Sequence, residues 1–219
     1  MIITIDGPAG VGKGTVAKIV SKSLGFKYLD SGAMYRALAL FADLNNVSEK
    51  DSDKLKKLLI DLHIQFIDNE EGERVLLNSD DVTEDIRTNE ISTLASKFAA
   101  NEVVRKILRE MQRRMIKNKD FIAEGRDMGT YVFPDAEHKF YLDADLEVRA
   151  KRRATQLKEI LGININEDRV SKEIGDRDNL DMTRESCPLH PAADAVIIDT
   201  SNMTIEEVVT KIKSVIDDA

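Results

Sequence analysis

Three observations predict an α/β fold built on a parallel sheet. Five short apolar runs, Ile2–Asp6, Lys27–Asp30, Phe121–Glu124, Lys139–Asp143 and Ala195–Asp199, lack polar alternation and end at an acid or a turn residue. Strands buried on both faces read this way. Amphipathic helical stripes lie between the runs. A Gly-rich turn joins the first run to the first stripe.

The elements follow in order. After Ile2–Asp6 and the glycines, Val16, Ile19, Val20 and Leu24 share one helical face, with Gly25 placed to stop the helix. Leu55, Leu58, Leu59 and Leu62 form a second stripe, and Val104, Ile107, Leu108, Met111 and Met115 a third. The last helix carries Ile205, Val208, Val209, Ile212, Val215 and Ile216 behind a Thr204…Glu207 capping box. The stretch from Asp30 to Phe121 is far too long for one crossover helix. Within it, His63–Ile67 and Arg74–Leu77 flank Asp68-Asn69-Glu70-Glu71-Gly72-Glu73, which reads as a β-hairpin with an acidic tip. The expected organisation is therefore a core of residues 1–30, 119–147 and 181–219, an inserted subdomain over 31–118, and a charged helical insert over 148–180.

Composition narrows the class. With 219 residues, 42% of them hydrophobic, the chain can bury a core without disulfides. No apolar run reaches the roughly 20 residues of a membrane-spanning helix. One cysteine, Cys187, and three scattered histidines (His63, His138, His190) argue against a Cys- or His-based metal site. The start lacks the basic and apolar segments of a secretory leader, and with one thiol this points to the cytoplasm. A net charge of −8 argues against a nucleic-acid surface. The charge is uneven, with a net −7 over residues 51–90 and +6 over 105–119.

Gly7-Pro8-Ala9-Gly10-Val11-Gly12-Lys13-Gly14-Thr15 stands between strand and helix, the setting a phosphate-binding loop requires. Its amides can form an anion nest, the helix N-terminus favours negative charge, and Lys13 adds a point charge for β- and γ-phosphates. Gly14 follows Lys13, so the hydroxyl is displaced to Thr15. The loop implies a nucleoside triphosphate and leaves its use open. A guanine reader of the N-K-x-D type fails, because Asn118-Lys119-Asp120 is followed by Phe121. A small phosphotransferase needs an acceptor site rich in Arg, which pairs bidentately with phosphate.

Three segments could supply it. Asp30-Ser31-Gly32-Ala33-Met34-Tyr35-Arg36 follows the second strand, where ligands of doubly wound sheets bind. It reads equally as a helix start capped by Asp30 or Ser31. Phe121–Thr130 ends a strand in Glu124, an acid placed to hold Mg²⁺, and continues into Arg126 and Asp127. Asp176–Arg184 is a mixed charge run that suits either a solvated face or a lid, as does the Arg149, Lys151, Arg152, Arg153 cluster.

Taken together, GPAGVGKGT, DSGAMYR at 30–36, the hairpin insert, EGRDMGTYVFPDA at 124–136 and RDNLDMTR at 177–184 resemble the bacterial-type cytidylate kinases, a branch of the P-loop nucleoside monophosphate kinases. The likeness spans essentially the whole chain. At Glu124 the family often has Asp. The resemblance implies a five-stranded parallel core, an enlarged monophosphate-binding subdomain over 31–118 and a short lid over 148–180. It implies ATP as donor on Gly7–Thr15 with Arg149 and Arg153, and Mg²⁺ held through phosphates and water with Thr15 and Glu124. It implies CMP or dCMP as acceptor. Arg36, Arg126 and Arg184 would hold the acceptor phosphate, Ser96, Arg105 and Asp127 would read cytosine, and Arg177 and Asp181 would touch the ribose. Ser31 completes the matched acceptor set, to which the reading of 30–36 adds Tyr35, placed to pack on a sugar or base, and Lys13, Arg36, Arg126, Asp127 and Arg184 would be catalytic. A monomer without nucleic-acid or membrane partners is implied. The rivals are a kinase of another small acceptor, such as a hydroxy acid, and a nucleotide-dependent switch.

Overall fold

The computed structural model describes residues 1–69, 72–117, 119–162 and 166–218. They fall into two compact units, Met1–Asp30 with Ile116–Ala219, and Ser31–Met115.

The first unit opens with β1 (Ile2–Asp6), α1 (Lys13–Leu24) and β2 (Lys27–Asp30). Gly25 closes α1 in the left-handed region at φ 69°, as its position after the stripe predicts.

The second unit starts directly after β2. Helix α2 (Ser31–Leu44) makes the Asp30–Arg36 segment helical from Ser31. Its buried Met34 and Leu38 face the unit's core. Then come α3 (Ser52–Leu58), a 3₁₀ turn at Leu59–Asp61, β3 (Ile64–Asn69), β4 (Gly72–Leu77) and the two-residue β5 (Asp80–Asp81). Strands β3 and β4 pair antiparallel, with Ile64 opposite Leu77 and Phe66 opposite Val75, as the hairpin reading expects. Glu70 and Glu71 of the acidic tip lie outside the described residues, as does Asn118. Helices α4 (Asn89–Phe98) and α5 (Glu102–Met115) complete the unit. Its core includes Leu55, Ile86, Phe98 and Leu108.

The chain then returns to the first unit as β6 (Phe121–Gly125), a π-helical turn (Met128–Val132), β7 (His138–Asp143), α6 (Leu146–Leu161), α7 (Glu167–Thr183), β8 (Val196–Asp199) and α8 (Ile205–Asp217). The charged insert is thus two long helices, with residues 163–165 outside the described set. The sheet order is β2-β6-β1-β7-β8, all parallel. Strand β1 is central, so its apolar residues have no solvent face: Ile3 and Ile5 are fully buried, packed with Val16, Val20, Ile122, Phe140, Leu142 and Ile198. Parallel strands send all their C-terminal ends to one edge. Asp6 stands level with Gly125 and Tyr141, and Asp30 with Glu124.

The capping box that announces α8 is formed: Thr204 Oγ1 accepts the Glu207 N–H at 3.2 Å, and Glu207 Oε2 accepts the Thr204 N–H at 2.8 Å. Replacing Thr204 by Ala should lower stability by about 1 kcal/mol. The urea midpoint should fall with no change in slope; an unchanged midpoint would show that α8 does not need its cap.

Candidate functional site

The phosphate loop leaves β1 at Gly7, whose φ is 148° and whose added Cβ would lie 2.1 Å from the Leu142 carbonyl oxygen on β7. Only glycine fits there, so the loop turns tightly over the sheet edge. Asp6, the last residue of β1, is buried. It accepts the N–H groups of Met128 at 2.9 Å and Gly129 at 2.7 Å, and so anchors the turn after β6 to the start of the phosphate loop. Burial raises the Asp6 pKa to about 6 against these two hydrogen bonds. Sequence reading gave Asp6 no role. Its only signal was an acid closing an apolar strand.

Lys13 is buried at the first turn of α1, and its Nζ donates to the Pro8 carbonyl at 2.7 Å. Burial, joined by the charges of Arg126 and Arg177, lowers its pKa to about 7, although Glu124 and Asp6 oppose the shift. A cation held this way is short of negative charge, and a phosphate would supply it.

Beside it lies an arginine cluster. Asp181 on α7 is buried and accepts Arg126 Nε through Oδ2 at 2.9 Å and Arg184 Nη1 through Oδ1 at 3.0 Å. Burial alone would raise Asp181; the charges of Arg126, Arg184 and Arg177 hold it below the usual carboxylate range. Burial also works against Arg126, but Asp181, Asp178 and Glu124 raise its pKa overall. Arg184 Nε is further tied to the Cys187 carbonyl at 2.8 Å. Cys187 sits at φ 51°, in the left-handed region. Both oxygens of Asp181, expected at a ribose, are thus engaged in orienting two arginines. Asp127 is buried at the head of the π-helical turn, where its carbonyl accepts the N–H groups of Tyr131 at 2.9 Å and Val132 at 3.1 Å.

Glu124 accepts the Tyr28 hydroxyl at 2.8 Å, and its Oε1 would lie 2.9 Å from a Cβ on Gly14. It therefore presses against the first turn of α1, which explains why glycine stands where many phosphate loops carry a hydroxyl. Burial raises its pKa, and the neighbouring Asp30 adds to the shift, while Lys13 and the Tyr28 hydrogen bond oppose it. A half-buried carboxylate of this kind, against the first turn of α1, fits a hard divalent cation. Among the described residues no three His, Cys, Asp or Glu side chains converge on a metal site, so such a cation would need phosphate oxygens as ligands.

The remaining expected residues divide. Arg153 Nη1 donates to Gln156 Oε1 at 2.8 Å on the half-exposed side of α6. Arg149 is buried and engaged with the phosphate loop's own backbone. In the second unit, Ser31 is buried at the start of α2, and the Arg105 guanidinium lies 5.5 Å from the centre of the Tyr35 ring. Arg105 Nε is held by the Ala99 carbonyl at 2.7 Å. Ser96 Oγ bonds back to the Ser92 carbonyl at 3.2 Å, and Arg36 stands half-buried on α2. The acceptor residues expected from sequence thus form two sets, Ser31, Tyr35, Arg36, Ser96 and Arg105 in one unit and Arg126, Asp127, Arg177, Asp181 and Arg184 in the other.

Comparisons with known proteins agree in kind. A family model described as cytidylate kinase matches residues 3–218. Proteins named cytidylate kinase are similar over nearly the full length. That of Carboxydothermus hydrogenoformans is 47% identical over 216 residues, covering 99% of this chain and 97% of that protein. That of Clostridium botulinum is 47% identical over 214 residues, covering 98% and 96%. Among solved structures, shikimate kinase from Bacteroides thetaiotaomicron is similar at TM-score 0.50 and 12% identity, covering 99% of this chain and 98% of its own. An uncharacterised protein from Eubacterium ventriosum is similar at TM-score 0.53 and 13% identity, covering 100% and 99%. These two likenesses concern the fold alone.

The Lys13 environment predicts proton uptake on binding a nucleoside triphosphate. At pH 8 a lysine with a pKa of about 7 is mostly neutral in the free protein. Phosphate beside it raises that pKa, so binding should take up as much as about one proton. Uptake should fade as the pH drops below 7, where Lys13 is already charged. Calorimetry in buffers of different ionisation enthalpy reads this directly. Equal uptake by Lys13→Met would sink the assignment.

Proposed function

The chain belongs to the cytidylate kinase family, and from that membership we propose that it transfers the γ-phosphoryl group of ATP to CMP, and to dCMP, giving CDP or dCDP and ADP. The observation that carries this reading is the arginine pair Arg126 and Arg184, locked by Asp181 beside a buried phosphate-loop lysine. Phosphate groups on both sides of a transfer need such a cluster, because an in-line displacement between two anions is slow unless their repulsion is neutralised.

In this mechanism an oxygen of the CMP phosphate attacks the γ-phosphorus as the bond to the β-phosphate bridging oxygen breaks. No covalent enzyme intermediate is needed. The loop from Gly7 to Thr15 holds the donor through the amides that follow Ala9, with Lys13 at its β- and γ-phosphates and Arg153 approaching from α6. Arg36, Arg126 and Arg184 hold the acceptor phosphate. Arg177 and Asp181 approach the ribose, with Asp181 also fixing the two arginines. Ser96, Arg105 and Asp127 read the cytosine edge, and Ser31 and Tyr35 line the acceptor position. Mg²⁺, when bound, neutralises charge on the β- and γ-phosphoryl oxygens; Glu124 and Thr15 are the residues that would hold it, through water. The parts of the 148–180 helices beyond Arg149 and Asp178 act as a lid that excludes water, which suppresses ATP hydrolysis. The lone thiol of Cys187 fits a reducing cytoplasmic setting.

An ADP-release assay with CMP, dCMP, UMP, AMP and a hydroxy acid offered side by side tests the reading. CMP should be the best acceptor and dCMP close behind. Activity confined to the hydroxy acid would overturn the proposal. Lys13→Ala should reduce turnover at least about 10²-fold with the fold retained.

A further inference from the structure

Ala9 stands at the crown of the phosphate loop, and both of its backbone polar groups are gripped from outside the loop. The Asp178 carboxylate on α7 accepts the Ala9 N–H through Oδ1 at 2.9 Å. The Arg149 guanidinium on α6 donates Nη1 to the Ala9 carbonyl at 2.9 Å. The same Nη1 is paired with Asp178 Oδ2, and Arg149 Nε donates to the Ala144 carbonyl at 2.9 Å. Both side chains are buried, Arg149 at 7% and Asp178 at 6% exposure. A small apolar cluster of Ala9, Ala150, Ala154, Val170 and Ile174 surrounds the clamp. Next to it, Gly10 sits at φ 75°, and a Cβ there would lie 3.3 Å from both the Arg149 carbonyl oxygen and Ile174 Cδ1. The loop backbone therefore lies flush against the α6–α7 pair.

A glycine-rich loop has many conformations to lose before its amides can converge on an anion. A buried ion pair that satisfies one donor and one acceptor of the same residue removes that freedom in advance. It also withholds the Ala9 amide from the anion and leaves the later amides of the loop to it. Two of the three Arg149 nitrogens are spent on backbone carbonyls and on Asp178, which is the geometry of a brace and not of a phosphate ligand. The helix that carries Asp178 also carries Asp181 one turn further on, so α7 holds the loop and the arginine pair on one rigid element.

We infer that Arg149 and Asp178 are positioning residues for the donor: they clamp Ala9 and keep the phosphate loop in its anion-binding shape before nucleotide arrives. The kinetic part of the test rests on the ATP–CMP reading; the binding part does not.

The test compares wild type with Asp178→Asn and with the double variant Arg149→Met/Asp178→Leu, which leaves no lone buried charge. On folded protein, the ATP dissociation constant without acceptor and the KM for ATP should both rise about 10- to 100-fold. The KM for CMP should stay within about twofold, a split that a general loss of stability would not produce. An ATP affinity within about twofold of wild type in either folded variant would overturn the inference. Hydrogen exchange on the wild-type enzyme decides the matter if neither variant folds. The Ala9 amide should be protected without nucleotide; exchange at the rate of an open loop would overturn the clamp. Wild type that binds ATP but leaves CMP untouched would refute the acceptor assignment alone.

Discussion

Cations gathered out of water, with no anion yet present, are unstable unless carboxylates stand among them, and the core unit of this protein is arranged around that constraint. Lys13, Arg126, Arg149 and Arg184 are all drawn into the protein at one edge of the sheet, and each has a buried acid close by. The compensation is incomplete at Lys13, whose pKa falls to about 7 mainly through burial. It is fuller at Arg126 and Arg184, which share the carboxylate of Asp181. The site is thereby left with a graded deficit of negative charge, largest at Lys13, the proposed donor position.

The carboxylates do more than neutralise. Asp6 reaches from the end of β1 to the backbone of Met128 and Gly129. Asp178 reaches from α7 to the backbone of Ala9. Asp181 holds two guanidinium groups, one on each oxygen. Each converts a charge-balancing group into a geometric one, so removing any of them would disturb position and charge at once. Such networks rigidify a site only when every member is satisfied, and Asp6, Asp178 and Asp181 each use both of their oxygens.

Much of this architecture can be read from residues alone. The strands announce themselves because a central parallel strand has no wet face, and Ile2–Asp6 and Lys27–Asp30 begin and end where the apolar runs do. The last helix is legible from Thr204 and Glu207 because capping is a contact between residues three apart. The phosphate loop is legible because its glycines, lysine and flanking elements are contiguous. At Asp30–Arg36 residue type alone does not separate a plain helix start from a ligand-binding segment, and the helix that the structure shows from Ser31 is compatible with either. The long helices α6 and α7 were blurred by charge, because Arg149, Asp178 and Asp181 look like solvent-facing residues until something is packed against them.

The sequence by itself determined the alternation of strand and helix, the loop that receives phosphate and the kind of residue gathered around it. These are local matters, set by spacing within a few residues of each other. Only the tertiary structure decided what the charged residues do to one another. Asp178 meets Ala9 across 169 positions and Asp6 meets Gly129 across 123. No pattern along the chain carries such pairings. Whether an arginine binds a ligand or braces the loop that binds it depends on what is buried beside it, and burial is a property of the folded chain.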